Sequence, residues 1–220
     1  MQAELFAALA SIGVDVLAGG LGVGERAGKE GPTNSVFLVT RDGIGGRYDK
    51  VRLMMFSESK PLSFLPLGSD RLIAGDAPRP IRYRGVAFGL AVCSEAMYPE
   101  YVGETVRAGA EVLVAPTVDS WFGTQGGARQ QLEATAMRAI ETRRFVLRPT
   151  ATGISAVIDP RGRVVAEAPT GEPAVLVAAV SPASERTLYT RIGDAGTGMA
   201  ALVALADAWR RRSRPQAESA

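Results

Sequence analysis

Gly85-Val86-Ala87-Phe88-Gly89-Leu90-Ala91-Val92-Cys93-Ser94-Glu95-Ala96-Met97-Tyr98-Pro99-Glu100 is the stretch whose reading decides the fold. The apolar run up to Val92 has the length and character of a strand buried on both faces. It stops at Cys93, and Pro99 is placed to open a helix. Strand, sharp turn and helix in that order are the unit of an open α/β sheet, where ligands bind beyond the carboxyl ends of the strands. Cys93, the single cysteine of the chain, is therefore a candidate nucleophile. The plainer alternative for a lone cysteine is a small buried hydrophobe.

Outward from this unit the pattern continues to alternate. Leu5 to Ile12 reads as an amphipathic helix ending at Gly13, followed by a short strand at 14–17 and a glycine-rich loop from Gly19 to Pro32 that carries Glu25, Lys29 and Glu30. Further strands are expected at 35–40, 86–92, 112–115, 145–150, 155–158 and 174–180. Between two of them, Leu132, Ala136 and Ile140 fall on one face of a helix spanning 128–144. Asp42-Gly43, Pro160-Arg161-Gly162 and Thr170-Gly171 are turn signals and imply some antiparallel pairing beside a parallel core. The expected class is α/β.

Composition narrows the chemistry. The 220 residues include no histidine, which removes Ser-His-Asp triads, Cys-His proteases and His-ligated zinc; no metal and no cofactor is expected. Twenty-five Lys and Arg against 23 Asp and Glu give a formal charge of +2, too balanced to imply nucleic acid. One cysteine permits no internal disulfide. If Cys93 reacts, a lysine or a carboxylate must activate it. Lys50, placed after a turn and before an apolar patch, and Glu58, eight residues on, supply both types. An ammonium stabilises a thiolate and a developing oxyanion, and a carboxylate accepts the thiol proton. Spacing alone leaves an exposed Lys–Glu pair as the ordinary alternative.

Longer blocks add a resemblance. Tyr48-Asp49-Lys50, Phe56-Ser57-Glu58 with Pro61, Val92-Cys93-Ser94-Glu95, Asp119-Ser120-Trp121-Phe122-Gly123, Arg138-Ala139-Ile140-Glu141-Thr142 and Thr152-Gly153-Ile154-Ser155-Ala156 occur in this order. Together they resemble the carbon–nitrogen hydrolase (nitrilase) superfamily from about residue 5 to about residue 195, and within it the catalytic domain of the bacterial apolipoprotein N-acyltransferases. Thr187 to Asp194 also resembles that branch's exit toward its last membrane helix.

The resemblance implies a four-layer αββα sandwich, incomplete at its N-terminal strand, with a Glu-Lys-Cys triad. Lys50 and Cys93 match the catalytic lysine and nucleophile, Glu58 an additional active-site glutamate, and Glu95 a supporting residue just past the nucleophile. Trp121 and Phe122 match a loop lining the substrate pocket. Arg138 and Glu141 fit an exposed structural pair on a helix. The implied reaction moves an acyl chain from a phospholipid donor, through a thioester, to the N-terminal amine of a lipoprotein acceptor. The family's general-base glutamate belongs to a strand upstream of the first helix, and Glu4, Glu25 and Glu30 do not take its place, so impaired activity is expected. Arg52, Ser57, Ser94, Gln131 and Ala151 also depart from the residues usual there. The alternatives are a soluble amidase of the same superfamily and a non-catalytic, partial or degenerate relative.

The expected organisation is a partial domain over 1–191, then a C-terminal helix and basic tail over 192–220. The apolar segment Ala195 to Ala206 is shorter than the roughly 20 residues a membrane span needs, although Arg210-Arg211-Arg212 is what a cytoplasmic flank looks like. It is expected either as a remnant membrane helix or as a surface helix docked on the domain. The first 20 residues lack a basic n-region and contain Glu4 and Asp15, so no signal peptide is expected. The family architecture would place the domain outside the inner membrane, and the chain taken as complete would be cytoplasmic.

Overall fold

The computed structural model describes residues 7–9, 11, 13–26, 28–55, 57–59, 72–120 and 125–212. Three antiparallel strands, β1 (Val16–Arg26), β2 (Lys29–Thr40) and β3 (Gly43–Asp49), form one sheet in the order β1-β2-β3. A second, mixed sheet runs in sequence order through β4 (Ile81–Tyr83), β5 (Val86–Leu90), β6 (Val112–Val114), β7 (Val146–Arg148), β8 (Ala156–Ile158) and β9 (Val164–Glu167). Its centre, β5-β6-β7, is parallel, and its flanks are antiparallel hairpins. One apolar core runs through both sheets, with Val36, Leu38 and Tyr48 of the first and Leu90, Leu113, Val114 and Ala156 of the second.

Two helices, α1 (Pro99–Arg107) and α2 (Gln125–Thr142), pack on the second sheet against β5 and β7. Pro99 opens α1 as its sequence position requires, with Tyr98 as N-cap. Gly89 lets α1 approach the strand: a Cβ there would lie 2.5 Å from Ala110 Cβ and 2.6 Å from Thr105 Cγ2. Two further helices, α3 (Leu188–Ile192) and α4 (Ala195–Arg212), close the described chain.

Several expectations change. The segment 19–32 is not a loop but the body of the β1–β2 hairpin, paired from Val16↔Val39 to Arg26↔Lys29. Four glycines in β1 hide its period. Gly22 has a packing reason, because a side chain there would lie 2.6 Å from both Arg47 Nη2 and Thr33 Oγ1. Lys50 follows β3 directly rather than a turn. Residues 174–180 form no strand; Val175 and Val177 are 89% and 90% exposed, with no paired strand among the described residues. The short strands β4 and β9 were not expected. Helix α4 forms, and its described side chains are exposed. Among the described residues no helix is long and apolar enough to cross a membrane. Of the helix expected at 5–12, Ala7–Leu9 and Ser11 are helical, and its remaining residues lie outside the described set.

Gly89→Ala is expected to lower stability by about 1–3 kcal/mol, since the added methyl must push α1 away from β5. The urea unfolding midpoint measures this, and an unchanged midpoint would contradict the close approach.

Candidate active site

The strand ends set the site. β5 delivers Cys93 into a one-turn 3₁₀ helix, Cys93–Met97, and β3 delivers Lys50 from the opposite sheet. Cys93 sits at φ +54°, a left-handed conformation that costs a non-glycine residue energy and turns its side chain out of the strand direction. Its backbone N–H donates to Pro116 O at 2.8 Å, which fixes the nucleophile turn to the end of β6. The thiol is half-buried and lines a cleft of about 620 Å³.

Lys50 and Glu58 line the same cleft. Lys50 is 1% exposed, and its Nζ donates to Glu58 Oε2 at 2.6 Å. Glu58 also accepts from Met54 N at 2.8 Å and Asn34 Nδ2 at 3.2 Å. Burial alone would push the Glu58 carboxyl up; the Lys50 hydrogen bond and charge, with the Met54 and Asn34 donors, hold it below the ordinary carboxylate value. Glu58 is therefore an anion that fixes the position of Lys50. The pair is not the exposed surface contact that its spacing alone allowed.

Glu95 does not line the cleft. It is fully buried, and its carboxylate accepts from Val92 N at 2.7 Å, Val51 N at 2.7 Å, Arg52 N at 2.9 Å and the Tyr48 hydroxyl at 2.8 Å. Three of those donors are backbone groups close to Lys50 or Cys93, so this one side chain ties the lysine segment to the Cys93 turn. Burial pushes Glu95 up, against the pull of these hydrogen bonds. The Tyr101 hydroxyl meets that of Tyr48, and desolvation and the Glu95 charge raise both phenols, keeping them protonated donors.

The far wall consists of Pro116, Thr117, Val118, Pro149, Thr150 and Ala151. It rests on a buried ion pair that the sequence reading missed. Arg148, on β7, donates to Asp119 Oδ2 at 3.0 Å and Gln131 Oε1 at 2.9 Å, with Arg148 and Asp119 both 1% exposed at the side chain. Gly153, at φ +124°, leaves room for Asp119, whose Oδ2 would be 2.1 Å from an added Cβ. A lone arginine in an otherwise apolar strand was the available signal, because such a charge needs a buried partner.

Among the departures, Ser57 and Ala151 line the cleft, Gln131 lies behind it on Arg148, and Arg52 is exposed. Ser94 is buried, with no hydrogen-bond partner for its Oγ among the described residues. Arg138 and Glu141 are not an exposed pair: Arg138 is 8% exposed, donates to Glu141 Oε1 at 2.7 Å, and reaches Met97 O at the end of the nucleophile turn. Trp121 and Phe122 lie outside the described residues, as do Phe56, Pro61, Gly123 and Glu4. Glu25 and Glu30 face each other, exposed, at the end of the β1–β2 hairpin. Among the described residues no cluster of acidic and cysteine side chains could hold a metal.

Residues 3–189 match the carbon–nitrogen hydrolase family model. The chain is 37% identical over 191 residues to an apolipoprotein N-acyltransferase of Bradyrhizobium diazoefficiens, covering 81% of this chain and 35% of that protein. It is 35% identical over 192 residues to one from Geobacter metallireducens, covering 82% and 37%. The chain thus spans little more than a third of the length of these curated relatives. Among solved structures, Saccharomyces cerevisiae Nit3, a member of branch 10 of the nitrilase superfamily, superposes with a TM-score of 0.59 at 22% identity over 76% of this chain and 62% of that one. An amidase from Nesterenkonia sp. AN1 gives 0.61 at 19% identity over 90% and 73%. These structural likenesses establish the α/β nitrilase-like fold.

Two outcomes follow from the site's charges. Glu95→Gln places an N–H₂ among donors and is expected to cost about 3 kcal/mol, read as a drop in the urea midpoint. Glu58, whose carboxyl is held low, stabilises the fold above the ordinary carboxylate value and loses that contribution as pH falls through its folded value. The stability gap between wild type and Glu58→Gln is therefore expected to narrow as pH drops below about 4.5, and a constant gap would contradict the depressed carboxyl.

Proposed function

Because this chain belongs to the carbon–nitrogen hydrolase family, we propose that Cys93 is its nucleophile and that the chain carries the acyl-transfer centre of an apolipoprotein N-acyltransferase-like protein. The observation that carries this reading is the meeting of Cys93, held at φ +54°, with the Lys50–Glu58 ion pair in one cleft. The curated relatives are N-acyltransferases by name.

In this mechanism the Cys93 thiolate attacks the ester carbonyl of a phospholipid. A carbon–sulfur bond forms, and the carbonyl electron pair moves to oxygen. The Lys50 ammonium stabilises that oxyanion, with Glu58 holding it in position. The Cys93 N–H is committed to Pro116 O, which leaves Lys50 as the principal donor named here. Collapse breaks the carbon–oxygen bond, and lysophospholipid leaves with the proton taken from the thiol. The free α-amine of a lipoprotein then attacks the thioester, forms an amide and restores the thiol. In the resembled family the proton acceptor is a glutamate on a strand ahead of the first helix; no residue of this sequence matches it, so the thiol proton passes to bulk water and returns from it to the leaving lysophospholipid, which makes the reaction slow. Within the chain described, Glu58 is the one carboxylate among the described lining residues, and its charge is already committed to Lys50.

The walls favour an acyl substrate over a small amide. Leu17, Leu21, Val36, Met54, Val92 and Val118 give the cleft apolar walls, and its polar side chains lie on both sides, Asn34 and Glu58 beside Lys50 and Thr117 and Thr150 on the far wall. An amidase would use water as second nucleophile and has less use for that apolar surface. Localisation at the outer face of an inner membrane belongs to the same proposal, as does the division into a domain over 1–191 and a C-terminal extension.

Incubation with dipalmitoyl phosphatidylethanolamine, followed by intact-mass measurement, is expected to show one palmitoyl adduct that accumulates slowly. Cys93→Ala abolishes it, and Lys50→Met slows it by about a hundredfold or more. Absence of an adduct, with hydrolysis of small amides instead, would replace this reading with the amidase.

A further inference from the structure

We propose that Gly19 keeps open a channel for the hydrocarbon tail of the acyl donor, and that the size of residue 19 sets the chain length the cleft accepts. This rests on the acyl-transfer reading above and adds where the tail lies.

The register supplies the geometry. Gly19 pairs with Val36 and Leu21 with Asn34 across β1–β2, while Val36 pairs with Tyr48 across β2–β3. A Cβ on Gly20 would approach Phe37, and one on Gly22 would approach Thr33, Ser35 and Arg47, so the even-numbered residues of β1 lie on the face of Thr33, Ser35 and Phe37. Leu17, Gly19 and Leu21 therefore share the other face with Val36, and all three line the open side of the cleft beside Val36, Asn34 and Lys50. From Lys50 the floor crosses Asn34 and Val36 and reaches β1. Val23 lies on the same face one step further, so the apolar strip continues past the cleft, with Leu21 60% and Val23 59% exposed.

Gly19 stands out on this floor because no contact among the described residues requires a glycine there. At Gly22 an added Cβ would meet three side-chain atoms within 2.7 Å, whereas at Gly19 it would meet no described atom within 4 Å. Its φ is not among the positive values that favour glycine. Glycine weakens a strand interior, and where neither packing nor backbone conformation requires it, close approach of a ligand is the remaining structural use. The occupant argued here is a linear alkyl chain. The strip is apolar, it is continuous with the cleft, and its inner end meets Lys50 and Cys93, where the ester carbonyl would sit. A side chain at position 19 would project onto that path beside Val36.

The test reads occupancy without requiring acyl transfer. Cys93 of the full chain is labelled with iodoacetamide in the presence of hexyl- or dodecylphosphocholine, each below its micelle concentration. The dodecyl compound is expected to slow labelling about tenfold more than the hexyl compound, since extra buried methylenes add affinity. Gly19→Phe is expected to bring the dodecyl-to-hexyl ratio close to one, and Gly19→Val, which suits a strand, to lower it; the valine variant also serves if the phenylalanine variant does not fold. Equal protection by both lengths, no protection, or an unchanged ratio in the folded variants would overturn the channel. Length-dependent protection without any phospholipid adduct would leave the channel standing and remove the acyl-transfer reading. An adduct without length dependence would do the reverse.

Discussion

The Glu95 carboxylate is the constraint on which the site's geometry depends. Lys50 and Cys93 come from different sheets, and their separation is set by how two chain segments are joined rather than by either strand. One buried carboxyl group accepts from Val92 on the Cys93 side and from Val51 and Arg52 on the lysine side. Removing water from a carboxylate is unfavourable unless several donors replace it, and here four do. The same requirement makes the clamp specific, because a shift of either segment would strand backbone N–H groups in the core.

A second buried charge holds the opposite wall in the same manner. Arg148 reaches across from β7 to Asp119 and Gln131, so the segments at 117–119 and 149–154 are referenced to one guanidinium. The cleft thus lies between two polar clamps embedded in an otherwise apolar sandwich. The groups lining it, Lys50 and Glu58, are paired with each other and not with either clamp. This separation keeps the Lys50–Glu58 pair apart from the supports behind it, whose hydrogen bonds are filled among themselves.

The central unit was legible because its physics is local. An unbroken apolar strand, a turn and a proline at the first helical position point to β5, the nucleophile turn and α1 without long-range information. Lys50 and Glu58 were legible as residue types, and the matched blocks placed them in one family. The first sheet was harder to read. Glycines in β1 carry no hydropathy signal, and Gly22 exists to admit Arg47 and Thr33, a contact between residues far apart in sequence. Residues 174–180 erred in the other direction, since apolar composition marks a strand only where a partner offers hydrogen bonds. The buried roles of Glu95, Arg138 and Arg148 were not legible either, because a charged letter ordinarily means solvent and burial appears only once its partners converge.

The left-handed backbone at Cys93 also bears on which chemistries this scaffold could host. Residues branched at Cβ are strongly disfavoured in that region, so threonine is a poor replacement at the strand exit, while serine meets no such steric bar. The backbone angle at this one position thereby limits an exchange of sulfur for oxygen to a primary alcohol.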